Sequence, residues 1–86
     1  MKKQTTTIQL DNGLEVRPVA MLVQLASQFD STIYLETDNK RVNAKSIMGM
    51  MSLGLIMGAD VVVEADGTDE DVAVEKIVNY LSGKEA

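Results

Sequence analysis

Apolar positions near the start of the chain alternate with polar ones. In residues 6–10, Thr6, Ile8 and Leu10 take one face and polar side chains take the other, which is the period of a half-buried strand. Residues 11–13, Asp-Asn-Gly, are turn formers. The pattern predicts a first strand that ends in a turn.

After this turn the apolar spacing becomes helical. Pro18 suits a first helical turn, because proline has no N–H to leave unpaired there. The helix is expected to end near Phe29 and Asp30, where the spacing stops. Its apolar stripe consists of Val19, Leu22, Val23 and Ala26.

Residues 33–43 predict a hairpin. Ile33 and Leu35 alternate with polar residues, Asp38-Asn39 is a turn, and Arg41-Val42-Asn43 forms the returning strand. The short apolar segment 47–53 follows. Its preceding residue, Ser46, has a hydroxyl that can cap a brief helix there.

The last third predicts a strand and a helix. Residues 61–65 are rich in β-branched side chains and are the best candidate for a buried strand. A turn at 66–68 follows, in which Thr68 is a good N-cap with acidic residues in the next turn. The apolar stripe of the helix is Val74, Ile77, Val78 and Leu81.

The predicted order is β-α-β-β-α-β-α, an α+β fold. Each helix has one apolar stripe, so all three are expected on one face of an antiparallel sheet. Eighty-six residues suffice for one domain spanning 1–86. With 3% aromatic residues and six methionines, we expect an aliphatic and thioether core.

Composition excludes several classes of protein. The absence of cysteine excludes disulfides and thiolate-bound metals, and we expect neither metal nor cofactor. The longest apolar run, Val19 to Val23, is too short to cross a membrane, and no signal sequence is expected, so we predict a cytoplasmic protein. Residues 59–86 carry a net charge of −6, which disfavours direct nucleic-acid binding.

Two motifs resemble a known family. Residues 13–20, Gly-Leu-Glu-Val-Arg-Pro-Val-Ala, resemble the active-site signature of HPr, the histidine-containing carrier of the sugar phosphotransferase system. Residues 43–49 with Met-Ser-Leu at 51–53 resemble the regulatory serine signature of that family. The resemblance implies an open-faced β-sandwich whose four-stranded antiparallel sheet has the order 1-4-2-3, with three helices on one face.

The first motif departs from the family at its reactive residue. Glu15 stands where the carrier has its phosphorylated histidine, and the chain contains no histidine. A carboxylate is a poor substitute, because it repels the incoming phosphate and its acyl phosphate hydrolyses readily. Five roles for Glu15 remain open: a tolerated surface residue, a cap of the first helix that could pair with Arg17, a residue that discriminates between partners, a mimic of the phosphorylated carrier, or a carboxylate acceptor.

The second motif is intact. Ser46 is a helix cap by its position and, by the resemblance, a phosphorylation site; the two roles are compatible. The resemblance implies that Ile47, Met48 and Met51 form an exposed docking patch beside it, with Met50 facing elsewhere, although a plain core stripe is the alternative. The expected partner-binding residues are Glu15, Arg17, Ala20, Lys45, Ile47, Met48 and Met51.

The resemblance also implies partners. It points to histidine-lacking homologues that keep the serine, with HPr kinase/phosphorylase acting on Ser46 and a CcpA-type transcriptional repressor binding the product. The chain would then be a regulatory protein and not an enzyme. Alternatives are a phosphotransferase-system component that binds enzyme I through the region of Glu15, and an interaction domain that is never phosphorylated. We expect a monomer or a weak, strand-exchanged homodimer.

Overall fold

The described chain consists of four strands and three helices in the predicted order. The structure, a computed structural model, describes residues 1–9, 16–37, 40–52 and 58–83. Within these ranges no helix has the length and apolar character that a membrane span requires. The elements are β1 (Lys2–Thr7), α1 (Val16–Ser27), β2 (Thr32–Thr37), β3 (Lys40–Asn43), α2 (Ile47–Ser52), β4 (Asp60–Asp66) and α3 (Glu70–Leu81).

The strands form one antiparallel sheet in the order β1-β4-β2-β3, which confirms the order that the resemblance implied. β4 lies in the interior of the sheet, where Val63 is opposite Gln4 of β1 and Leu35 of β2. The β-branched run at 61–65 is thus a central strand, as predicted. β2 and β3 form the predicted hairpin, and its turn at residues 38–39 lies outside the described residues, as does the turn at 11–13.

The helices cover one face of this sheet. Ile33, Leu35 and Val63 point to that face and are fully buried, because alternate residues of a strand share a face. Each such side chain stabilises the fold by roughly 1.5–3 kcal/mol when buried. The predicted stripes of α1 and α3 are all buried against them: Val19, Leu22, Val23, Ala26, Val74, Ile77, Val78 and Leu81.

Methionine contributes less to this core than the composition suggested. Among the described residues, Met50 is fully buried, whereas Met1, Met21, Met48 and Met51 are exposed. Aliphatic side chains of the central strands and of α1 and α3 already fill the layer between sheet and helices. The expectation of a thioether core is therefore wrong for every described methionine except Met50.

β1 lies earlier in the chain than predicted. It spans Lys2–Thr7, and Ile8 follows it as a buried residue whose N–H donates to the Ala59 carbonyl oxygen at 2.9 Å. Leu10 lies outside the described residues. The placement at 6–10 was wrong because apolar alternation marks half-buried strands, whereas β1 is a polar edge strand held by its backbone ladder to β4.

The start of α3 also differs from the prediction. The N-cap is Asp69, not Thr68, and the Asp69 side chain does not cap the helix. Its carboxylate instead accepts hydrogen bonds from the backbone N–H groups of Asp30 and Ser31, at 2.8 and 2.9 Å, and from the Ser31 hydroxyl. The N-cap was misassigned because the Asp69 side chain bonds Ser31, which is 38 residues away in the sequence.

Across the sheet from the helices, Glu64 is almost entirely buried. Its Oε2 accepts hydrogen bonds from Nε and Nη2 of Arg41 at 3.2 and 2.9 Å. The Arg41 guanidinium also lies 3.9 Å from the centre of the Tyr34 ring, a cation–π contact. This cluster joins β2, β3 and β4 on the face that the helices leave open.

Candidate regulatory site at the start of the second helix

Ser46 lies directly before α2 and caps it, as predicted. Its Oγ accepts a hydrogen bond from the Gly49 N–H at 3.2 Å, and its carbonyl oxygen accepts one from the Met50 N–H at 2.9 Å. The side chain satisfies a donor that the helix itself cannot pair. The residue is half-buried, and hydrogen bonds hold both its side chain and its backbone.

Asn43 shapes the turn that presents Ser46. Its Oδ1 accepts a hydrogen bond from the Lys45 N–H at 2.8 Å, and its backbone carbonyl accepts one from the Ser46 N–H at 3.0 Å. Asn is favoured in such turns because its short side chain can bond the backbone two residues further on. Asn43 was predicted to lie in a strand and at the start of the serine motif, and no role was predicted for its side chain, although the preference of Asn for such turns was a signal for one.

Lys45 connects this turn to the end of α1. Its Nζ donates to the Phe29 carbonyl oxygen at 2.7 Å. That carbonyl follows the last residue of α1, Ser27, where the helix leaves carbonyl groups unpaired and carries partial negative charge. Lys45 therefore has a structural contact, and its predicted role in partner binding stays a prediction.

Three apolar side chains of α2 face solvent. Ile47, Met48 and Met51 are 46%, 84% and 49% exposed, whereas Met50 is fully buried. We call the three exposed residues the α2 patch. Its members lie at positions one, two and five of the helix, so Met50 anchors α2 in the core while the patch points away from it.

The far end of α2 is also secured. Lys40 Nζ donates to the Ser52 carbonyl oxygen at 3.3 Å, and the Ser52 hydroxyl donates to the Gly49 carbonyl oxygen at 2.7 Å. A cation at a helix carboxyl end is favourable. A Cβ built on Gly49 would meet Ser46 Oγ at 3.4 Å and Val42 Cβ at 3.6 Å, which is ordinary contact, so space alone does not require glycine there.

The first sequence motif is described only in part. Glu15 lies outside the described residues, and of Arg17 only the helical backbone is described. Ala20 is half-buried on α1. The structure thus shows α1 packed beside α2 but does not place the Glu15 and Arg17 side chains relative to Ser46.

The family follows from the comparison of the chain with known proteins. A family model described as "PTS HPr component phosphorylation site" matches residues 2–82, nearly the whole sequence. The chain belongs to the HPr family. Members of this family are phosphocarrier or regulatory proteins rather than conventional enzymes, and this HPr-family chain shares their sheet order and helix placement.

Relatives of this HPr-family chain include a protein that is called HPr-like. This chain is 47% identical over 81 residues to the HPr-like protein Crh of Bacillus subtilis (strain 168), and the match covers 94% of this chain and 95% of the relative. Among solved structures, HPr-C-His from Thermoanaerobacter tengcongensis matches with a TM-score of 0.91 and 47% identity over the whole of both chains.

The crystal structure of B. subtilis Crh matches with a TM-score of 0.79 and 46% identity, covering 96% of this chain and 95% of that one. That structure is described as a catabolite repression protein in a swapped dimer.

Proposed function

We propose that this chain is a regulatory protein of carbon catabolite control, phosphorylated on Ser46 by HPr kinase/phosphorylase and not a carrier of phosphohistidine. In its phosphorylated form it acts as corepressor of a CcpA-type transcriptional repressor. The observation that carries the proposal is an intact, half-buried serine site beside an exposed apolar patch, in an HPr-family chain that contains no histidine. The relatives named Crh support the same assignment.

The missing histidine argues against the carrier role. A carrier needs a nucleophile whose phosphoryl adduct is reactive yet survives transfer between proteins, which imidazole provides. Glu15 occupies the corresponding position and offers an anionic carboxylate instead. The remaining group with a family precedent for phosphorylation is the Ser46 hydroxyl.

The geometry around Ser46 supports phosphorylation without a change of fold. A phosphoryl group adds a charge of about −1.5 to −2 and three acceptor oxygens at pH 7. The Gly49 N–H already points at Ser46 Oγ, so a donor is in place for an oxygen of the phosphate. The turn is held separately by Asn43. The modification would therefore change surface charge and leave the backbone in place.

The α2 patch supports a protein partner. Ile47, Met48 and Met51 give an apolar surface within one helical turn or so of the phosphorylated residue. Exposed apolar groups next to a charged site are typical of protein interfaces, and flexible methionine side chains can adapt to a partner surface. The repressor would thus read the phosphate and the patch together.

The site of phosphorylation can be tested by incubating the protein with ATP and HPr kinase/phosphorylase and mapping the product by mass spectrometry. We expect one phosphate, lost in Ser46→Ala and retained in Ser52→Ala, the matched serine at the other end of α2. Binding to a CcpA-type repressor should require the phosphate. Phosphate on another residue, or equal binding of the unmodified protein, would contradict the proposal.

A second function is favoured by the identity of residue 15. With Glu15 at the histidine position, the chain could occupy the carrier surface of enzyme I or another phosphotransferase-system protein without accepting phosphate. Incubation with enzyme I and radiolabelled phosphoenolpyruvate distinguishes the cases. Binding without label supports such a decoy, label on Glu15 supports a carboxylate carrier, and no binding excludes both.

We also propose that the chain forms a weak homodimer by exchanging β1. Lys2–Thr7 is a polar strand at the sheet edge, its first four residues are exposed, and it is held chiefly by backbone pairing with β4. Such a strand can pair equally with β4 of a second copy. Sedimentation equilibrium over a range of concentrations should show a reversible dimer, and an unchanging monomer would contradict exchange.

A further inference from the structure

The α2 patch is made mainly of thioethers. Met48 is the most exposed large apolar side chain of the described residues, at 84%, and Met51 is 49% exposed. Met50, in the same helix, is fully buried. The helix therefore presents oxidisable sulfur at the surface beside Ser46 and keeps sulfur out of reach in the core.

We propose that Met48 is a site of reversible oxidation to the sulfoxide, and that this modification weakens partner binding by the α2 patch. The inference rests on the proposed function, since it assigns a second control to the same surface. The oxidant class is a hydroperoxide such as hydrogen peroxide. The methionine sulfur attacks the peroxide, the O–O bond breaks, one oxygen remains as the sulfoxide and the other leaves as water, so that sulfur loses two electrons and peroxide gains them.

The chemical consequence is confined to the patch. A sulfoxide is polar and chiral, so it opposes burial of the Met48 side chain under a partner. The fold does not depend on that side chain, because Met50 supplies the core contact of α2. The helix ends are held by the Ser46–Gly49 and Lys40–Ser52 hydrogen bonds, which involve no sulfur. Oxidation should thus alter binding without unfolding.

The order of oxidation tests the site itself. The folded protein is treated with dilute hydrogen peroxide, quenched at intervals and mapped by peptide mass spectrometry. Among the described methionines we expect Met48 to oxidise first, Met1, Met21 and Met51, at 65%, 54% and 49% exposure, more slowly, and Met50 last. Oxidation of Met50 at the rate of Met48, or of Met51 well before Met48, would overturn the assignment. Circular dichroism should be unchanged when Met48 alone is oxidised.

The effect on binding tests the control. The Ser46-phosphorylated protein is oxidised until Met48 is converted, and its affinity for a CcpA-type repressor is compared with that of the same sample before peroxide. We expect a loss of about tenfold, the size that burying a polar oxygen without a hydrogen-bond partner produces. Treatment with methionine sulfoxide reductase and a dithiol should restore binding. The Met48→Leu variant is compared only with itself before and after peroxide, and its affinity should not change.

The two proposals fail differently. If the reduced phosphoprotein does not bind the repressor, the corepressor function is wrong, and the control assigned to Met48 falls with it. If the phosphoprotein binds equally well before and after conversion of Met48, the corepressor function stands and the oxidative control is overturned. Equal losses of affinity in Met48→Leu and in the unsubstituted protein would place the effect at another residue and also overturn it.

Discussion

Ser31 and Ser46 each stand directly before an element of secondary structure, yet their hydroxyls have opposite surroundings. Ser31, before β2, is fully buried and donates its hydroxyl proton to Asp69. Ser46, before α2, is half-buried and accepts a hydrogen bond from Gly49. The same functional group is thus fully enclosed at Ser31 and partly open to solvent at Ser46.

The neighbouring glycines repeat this difference. A Cβ on Gly67 would lie 2.6 Å from Ser31 Oγ and 2.7 Å from Ser31 Cα, closer than atoms can approach, whereas a Cβ on Gly49 would make ordinary contacts. The Ser31 region is therefore closed by backbone against backbone. Beside Ser46, by contrast, a methyl group on Gly49 fits without displacing its neighbours.

The largest expected difference is between alanine substitutions at the two glycines. Gly67→Ala must displace the backbone of Ser31 and should destabilise the protein by about 2–3 kcal/mol. Gly49→Ala is the matched control and should be neutral or stabilise by up to about 1 kcal/mol, because alanine favours helix over glycine. Urea denaturation measures both. Equal effects of the two substitutions would show that the regions do not differ in packing.

Removal of the Asp69 charge should have the next largest effect, and the effect depends on pH. The Ser31 hydroxyl and then the Asp30 N–H lower the pKa of the Asp69 carboxyl in the folded state. Because the pKa is lower in the folded state, the ionised Asp69 carboxylate stabilises the fold. This stabilisation is fully present above the unfolded pKa of about 3.9 and is lost as the pH falls through the folded pKa.

Asp69→Asn should therefore be less stable than the unsubstituted protein at neutral pH, with the difference shrinking as the pH falls below about 4. Thermal unfolding of the two proteins across this range measures the difference. Asp71→Asn provides an exposed carboxylate as control. A difference that stays constant with pH would mean that the hydrogen bonds of Asp69 do not require its charge.

Deleting the two hydroxyls compares the serines directly. Ser31→Ala removes a fully buried hydroxyl and leaves the half-buried Asp69 carboxylate with one hydrogen-bond donor fewer, which should cost about 1–2 kcal/mol. Ser46→Ala removes only the cap of a short helix and should cost about 0.5–1 kcal/mol. Ser46→Asp, by contrast, should restore a cap for the Gly49 N–H. If Ser46→Ala proved the more destabilising of the two alanine variants, Ser46 would be the structural serine.

The smallest expected effect is at Lys45. Lys45→Met removes the hydrogen bond to the Phe29 carbonyl oxygen, a partly buried contact just beyond the end of α1, and should cost about 0.5 kcal/mol. Amide chemical shifts of residues 29–31 should move, because the carbonyl that precedes Asp30 loses its donor. Lys40→Met, which acts on Ser52, should leave those shifts alone. Unchanged shifts in Lys45→Met would show that the contact is not formed in solution.

Local patterns were sufficient to predict most of the fold. The helix stripes and the β-branched strand were placed correctly because burial imposes a period on apolar residues. β1 was misplaced, since Lys2–Thr7 is stabilised by backbone pairing and has no apolar period to detect. The cap of α3 was misassigned because Asp69 bonds Ser31, and a contact between distant segments leaves no trace in local sequence.

Some features of the candidate site could likewise be predicted from the sequence, and others could not. The Ser46 cap and the different direction of Met50 were predicted from spacing along one helix, whereas the exposure of the α2 patch was predicted from the family resemblance. The contacts of Lys45 with Phe29 and of Lys40 with Ser52 could not be predicted, because each depends on how two elements are packed. Which methionines are exposed could not be predicted from local sequence either, because it depends on how completely aliphatic side chains fill the core.

The regulatory role depends on which serine, if either, receives phosphate, and from which donor. One sample of the protein is incubated with ATP and HPr kinase/phosphorylase, and a second with phosphoenolpyruvate and enzyme I. The phosphorylated residue in each product is then identified by mass spectrometry. We predict one phosphate on Ser46 from ATP, none on the enclosed Ser31, and none from phosphoenolpyruvate. Transfer from phosphoenolpyruvate to this chain and onward to a sugar permease component, at rates typical of a carrier, would contradict the proposed role.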